Sequence, residues 1–208
     1  MWIDRLGDLL SPPACAACDA PVGATRAFCP PCAASVLGDA SSAEVVAVGA
    51  YGGALATAVR RLKYDERPDL ARPLGRLLAA ACREAGLEAD LVVPVPLHPA
   101  RLASRGYDQA SLIAREVARG LGAPLGVRAI RRVVDTAPLA LRGRSDRAAT
   151  IAGAFVAADL ARLSGARVVV VDDVATTGAT LSAATAALAL AGARVVGAAV
   201  ISRTLATG

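Results

Sequence analysis

Hydrophobic and polar positions along this chain switch repeatedly between the two-residue rhythm of a strand and the longer rhythm of a helix. Glu44 to Tyr51 reads as a strand, Gly53 to Tyr64 as a helix ending in the basic cluster Arg60, Arg61 and Lys63, and Asp69 to Ala85 as a helix stopped by Gly86. Leu91 to Pro96 is a strand with a stiff, abrupt exit, because prolines cannot donate to a ladder. Helix Gln109 to Arg119 follows, then strands over Val127 to Val134, Ile151 to Ala157 and Arg167 to Asp172, helix Leu181 to Ala191, and strand Arg194 to Ile201. Ser35 to Ser42 reads as a linker, and Asp135 to Arg147 as a long, polar, arginine-rich loop or hairpin of the kind that is functional or disordered. Strands alternating with helices predict a three-layer α/β fold around a mostly parallel sheet.

One stretch carries chemistry. Val168 to Val171 are four β-branched residues in a row, apolar on both faces as a buried parallel strand requires. Asp172 and Asp173 then stand at the carboxyl end, where open α/β sheets bind ligands. Thr176, Thr177, Gly178 and Thr180 lead into the next helix, and small hydroxyl residues with a glycine at a helix start suit a phosphate. Carboxylates for hydroxyls beside a cradle for phosphate point to a phosphorylated sugar. Three other readings stand beside it: a P-loop ATPase strand, though no Gly-x-x-x-x-Gly-Lys-[Ser/Thr] occurs; a receiver acid pocket, though its acids belong near the amino terminus; and a plain strand with a solvated turn.

The 208 residues allow one substantial core plus a small appendage. Apolar content is 55% but aromatics only 3%, so Ala, Val and Leu must build that core. The longest apolar run, Ala183 to Ile201, is broken by Gly192 and Arg194 and reads as helix-turn-strand rather than a membrane span. Met1 to Leu10 lack a basic start and fit an amphipathic helix with Trp2, Leu6 and Leu9 on one face. A cytoplasmic protein with no membrane partner is expected. The net charge of +5, with arginines crowded between Arg101 and Arg147, suits either a solvated basic surface or a polyanionic ligand.

Four of five cysteines form Cys15-x-x-Cys18 and Cys29-x-x-Cys32, two knuckles suited to tetrahedral Zn²⁺ in a closed, structural site. A pair of disulfides is the competing reading. Cys82 reads as a buried apolar residue on a helix.

Asp172-Asp173-Val174-Ala175-Thr176-Thr177-Gly178-Ala179-Thr180 resembles the phosphoribosyl-pyrophosphate signature of type I phosphoribosyltransferases. Adding the cysteine knuckles, Leu62-Lys63-Tyr64, Pro94-Val95-Pro96, Arg105-Gly106-Tyr107 and the arginine loop, the whole order resembles the competence-protein-F (ComF) family from about Pro12 to Ile201. The likeness implies a zinc ribbon over residues 1–40 and a phosphoribosyltransferase domain over 41–208 with a hood loop. It implies that Asp172 and Asp173 hold the ribose hydroxyls and that residues 174–180 hold the 5′-phosphate. Amides near Val95 and Pro96 would take pyrophosphate beside Arg105, with Mg²⁺, and Arg147 of the Thr136–Arg147 hood would close over it. Arg142 and Arg144 are lesser hood candidates, and Lys63 is either an anion contact or a solvated helix end. Departures fall at Leu139, Thr150 and Asp108, where the family shows glutamine or asparagine. His98, the only histidine, is expected to make a local hydrogen bond in its turn. Expected partners are phosphoribosyl pyrophosphate, a DNA-uptake protein and single-stranded DNA. The competing function is a non-catalytic docking module of DNA uptake.

Overall fold

The computed structural model describes residues 13–133 and 153–205. The expected helix at Met1–Leu10, the hood with Arg142, Arg144 and Arg147, and the departures at Leu139 and Thr150 all lie outside them. In chain order the elements are α1 (Pro30–Ala34), β1 (Val45–Ala50), α2 (Gly53–Tyr64), a single 3₁₀ turn (Pro68–Leu70), α3 (Ala71–Glu84), β2 (Leu91–Pro94), α4 (Pro99–Arg105) and α5 (Gln109–Leu121). They continue with β3 (Ile130–Arg132), β4 (Phe155–Ala157), α6 (Leu160–Leu163), β5 (Arg167–Ala175), α7 (Ala179–Leu190) and β6 (Arg194–Arg203).

Strands β1, β6, β5 and β2 form one sheet in that order, every neighbouring pair parallel. Leu125 adds a parallel bridge to Val92 beyond β2. Its inner strands are apolar on both faces because each face is covered. Val169, Val171 and Ile201 pack under α2, α3 and α5, while Val168, Val170 and Val200 pack under α7. On α3 the buried positions Leu74, Gly75, Leu78, Ala79 and Cys82 follow the helical period and meet α5. Gly75 permits that approach: a Cβ there would stand 2.8 Å from Glu116 Cβ and 3.0 Å from the Ile113 carbonyl. Cys82 is fully buried, and loss of hydration pushes its thiol up to about 12.

Three expectations need correction. The strands expected at Val127–Val134 and Ile151–Ala157 shrink to β3 and β4, which pair with each other antiparallel, apart from the parallel sheet. Ser35–Ser42 is no free linker. Ser35 Oγ accepts from Ala54 N at 3.1 Å, Ser41 Oγ accepts from Ala47 N at 3.1 Å, and Leu37 bridges Ala50. The proline-rich turn after β2 contains helix α4, capped by His98 Nδ1, which accepts from Ala100 N at 3.3 Å as the local reading of that histidine required. Among the described residues no helix is long and apolar enough to cross a membrane.

The cysteine segment has no separate core. Cys15, Ala16, Ala27, Phe28 and Cys29 join the apolar cluster that contains Leu55 and Leu62 of α2. Charged contacts reinforce the seam: Arg61 pairs with Asp19 at 2.5 Å and donates to the Ala16 carbonyl, and Arg67 reaches Asp19 at 2.9 Å. The Arg67 and Arg61 guanidiniums hold the Asp19 carboxyl below its ordinary range.

Candidate functional site

Strand β5 runs three residues beyond the expected end at Asp172, so Asp172 and Asp173 both belong to its last part, with Asp172 opposite Val200 of β6. Its neighbours lie in different halves of the chain, and the following helix α7 crosses one face while α3 and α5 cover the other. The crevice at such a divergence is where an open parallel sheet receives a ligand. Helix α2 does not run alongside the strands' length only; it brings Val59, Arg60, Lys63 and Tyr64 to the same cavity as the acid pair.

That cavity measures about 390 Å³. Asp172, Asp173, Val174, Thr176 and Thr180 line one side, and Val95 and Pro96 of the proline turn line another. Thr177, Gly178 and Ala175 instead face a neighbouring groove of about 1070 Å³, so the threonine-glycine turn separates two hollows. Gly178 has φ +77°, a left-handed conformation that favours glycine, and it is the N-cap of α7 without a capping side chain. Thr177 Oγ1 accepts from Ala179 N at a long 3.4 Å. The first amides of α7 therefore keep their capacity for an external acceptor.

The electrostatics centre on one pair. Lys63 Nζ lies 2.8 Å from Asp173 Oδ1, with the lysine side chain 21% exposed and the aspartate 4%. Burial works against the charge on Lys63, but Asp173 outweighs it and holds the ammonium above its ordinary range. Asp173 Oδ2 is buried with no hydrogen-bond partner among the described residues. Asp172 accepts from the Asp173 amide at 2.8 Å. Loss of hydration, and then the charge of Asp173, push its carboxyl up to about 8. Lys63 is thus the site residue that its place at a helix end disguised. The signal available was its position in the Leu62-Lys63-Tyr64 motif.

Two expectations about pyrophosphate contacts change. Val95 N already donates to the Val171 carbonyl at 2.8 Å, and Pro96 has no N–H, so neither supplies an amide to a ligand. Amides from that turn must come from Leu97 onward. Arg105 donates to Gln109 Oε1 at 2.6 Å and lies over the Tyr64 ring at 5.6 Å, beside the cavity rather than within its lining. Arg60, Arg101 and Arg132 line it instead. Asp108, one of the departures, caps α5 by accepting from Ala110 N at 3.1 Å and from Ser111 Oγ at 2.6 Å.

The sulfurs of Cys15, Cys18, Cys29 and Cys32 all lie within 4.8 Å of one another, and none is in a disulfide. Cys18 and Cys29 are 3.6 Å apart, against about 3.8 Å between thiolates around tetrahedral zinc. The thiols of Cys29 and Cys18 push Cys32 up to about 12, so four thiolates need a cation to coexist. The set fits zinc.

The family model for the phosphoribosyl transferase domain matches residues 63–207. Competence protein F of Haemophilus influenzae is 33% identical over 145 residues, covering 67% of this chain and 63% of that protein. DNA utilization protein YhgH of Salmonella typhimurium is 34% identical over 148 residues, with the same 67% and 63% covered. Adenine phosphoribosyltransferase of Mycobacterium marinum is 42% identical over 102 residues, 49% of this chain and 52% of that protein. The chain spans under two thirds of the length of the first two relatives. It belongs to the phosphoribosyl transferase domain family, as a homologue of competence protein F and YhgH.

Proposed function

We propose that the cavity binds phosphoribosyl pyrophosphate with Mg²⁺ and that the protein transfers the ribosyl phosphate to an amine or nucleobase, releasing pyrophosphate. The observation that carries this reading is the convergence of Asp172, Asp173, Thr176 and Thr180 on one hollow beside an uncapped helix start. Asp173 Oδ2, buried without a partner among the described residues, is an acceptor suited to a ribose hydroxyl. Residues 174–180 take the 5′-phosphate. Lys63, Arg60 and Arg101 surround the leaving group, together with amides from Leu97 onward, and Arg147 is its hood contact by the family likeness.

In the reaction the C1′–oxygen bond to pyrophosphate breaks while a C1′–nitrogen bond forms to the acceptor. Positive charge grows on the sugar and negative charge on the leaving group. The acid pair orients the ribose, the negative charge of Asp173 favours the sugar cation, and the basic wall favours the departing diphosphate. Mg²⁺ supplies charge neutralisation on the pyrophosphate oxygens, held mostly by the substrate itself. Positioning and electrostatics suffice, with no nucleophilic side chain.

Saturating phosphoribosyl pyrophosphate with Mg²⁺, at about 100 times Kd, adds about 2.7 kcal/mol to stability. In a chain of this size that raises Tm by roughly 5–10 °C. Asp173→Asn removes the shift; an unmoved wild-type curve refutes the pocket.

A second reading, a DNA-associated module in which the pocket is a sensor or remnant, is favoured by the names of competence protein F and YhgH. It predicts single-stranded DNA binding that falls steeply with salt. Absent or salt-insensitive binding removes it.

A further inference from the structure

The chain has only three tyrosines, two phenylalanines and one tryptophan. Among the described residues, the exposed aromatics are Tyr51 and Tyr64, and both line the cavity that holds the acid pair. Tyr64 is 71% exposed, an unusual burden of apolar surface for the last residue of a helix. It is also held in place. Gln109, buried at 4% exposure, accepts from Arg105, and the Arg105 guanidinium lies 5.6 Å from the centre of the Tyr64 ring. Two residues on, the Tyr107 hydroxyl donates to the Leu62 carbonyl and ties down the end of α2. The segment 105–107 therefore clamps α2 and orients one face of Tyr64, leaving the ring's remaining surface to solvent. An exposed aromatic that is merely tolerated needs no such support.

We infer that Tyr64, backed by Arg105, is a stacking platform for a planar nitrogenous heterocycle, which makes the acceptor a nucleobase rather than an aliphatic amine. Stacking on an aromatic face discriminates by shape: any base has a π-face, and an alkyl amine has none. A guanidinium on the far face strengthens the ring's hold through its own attraction to the π-system. Lys63, one residue before Tyr64, contacts Asp173, so the platform begins next to the proposed ribose site. A base on Tyr64 lies in the same cavity as the acid pair. The same chemistry admits a free base or a base within single-stranded nucleic acid.

The assignment rests on the transferase reading, and its test separates the two. Adenine, uracil, glycinamide and a single-stranded thymidine oligonucleotide are titrated calorimetrically against the full chain with phosphoribosyl pyrophosphate and Mg²⁺ present. The same preparations are melted with and without phosphoribosyl pyrophosphate. Expected are binding of a base, no binding of glycinamide, a loss of about tenfold or more in Tyr64→Leu, and recovery in Tyr64→Phe. The phosphoribosyl pyrophosphate melting shift, read on the wild type, reports on the sugar-phosphate site separately. Oligonucleotide binding that depends on Tyr64, with no free base bound, identifies a base within a strand as the source. Glycinamide binding in place of bases, or a Tyr64→Leu variant that binds bases as the wild type does, overturns the platform. A missing melting shift with Tyr64-dependent base binding overturns the sugar-phosphate reading alone.

Discussion

Replacing Lys63 by methionine keeps most of the side chain's volume and removes its charge, leaving Asp173 buried without its ion-pair partner. At 2.8 Å and an effective dielectric of about 20, the attraction lost is about 6 kcal/mol. Dehydration of both ions in the wild type offsets part of it, and removing one partner of a buried pair typically costs about 3–5 kcal/mol. Lys63 keeps 21% exposure, so the lower end, about 3 kcal/mol, is the fitting expectation. For a chain of this length it lowers Tm by roughly 6–12 °C at pH 7. Three melting curves complete the experiment: Lys63→Met, Asp173→Asn, and the double variant. The double variant should lie closer to wild type than Lys63→Met does, because no charge is then left unpaired. A Lys63→Met variant that melts with the wild type at pH 7, or a double variant whose loss is the sum of the two singles, refutes the claim that the lysine balances this carboxylate.

Asp172 gives a pH signature of its own. Its folded carboxyl titrates above its ordinary range, at about 8, so from about pH 4 to 8 the folded protein retains a proton that the unfolded chain has released. Stability attributable to this group therefore falls as pH rises through that window. Asp172→Asn should raise Tm at pH 8 by roughly 3–5 °C for each pK unit the shift retains, with no gain at pH 4; a Tm–pH curve parallel to the wild type's contradicts this. Gly75→Ala should cost about 1–3 kcal/mol by overpacking α3 against α5, read as a lowered urea midpoint. Cys29→Ser should drop bound zinc from about one equivalent per chain and lower Tm, because Cys29 belongs to the core shared with α2. Metal analysis showing unchanged zinc, or a Tm equal to wild type, tells against a tetrahedral thiolate site.

Local rules carried the fold a long way. Helix α2 begins and ends where its pattern places it, and β5 is buried on both faces as four consecutive valines demand. The strands flanking residues 134–152 were read too long and their partnership was missed. Short apolar runs state a preference for extension but not which edge they join, and β3 and β4 join each other. The proline turn misled at atomic detail, since a pattern cannot say that the Val95 amide is already spent on Val171.

By itself the sequence determined the parallel α/β architecture, the four-cysteine cluster and the acid-threonine signature. Each of these is written in contiguous residues whose spacing, burial preference or turn chemistry is local. Only the tertiary structure decided that Lys63 neutralises Asp173, across 110 positions of chain, and that Tyr64 and Tyr51 share the acid pair's hollow. It also decided that the cysteine segment packs into the main core. Side chains far apart in the chain meet because α2 lies where the sheet's packing puts it, and the free energy of a charge pair or a shared core exists only once both surfaces leave water together.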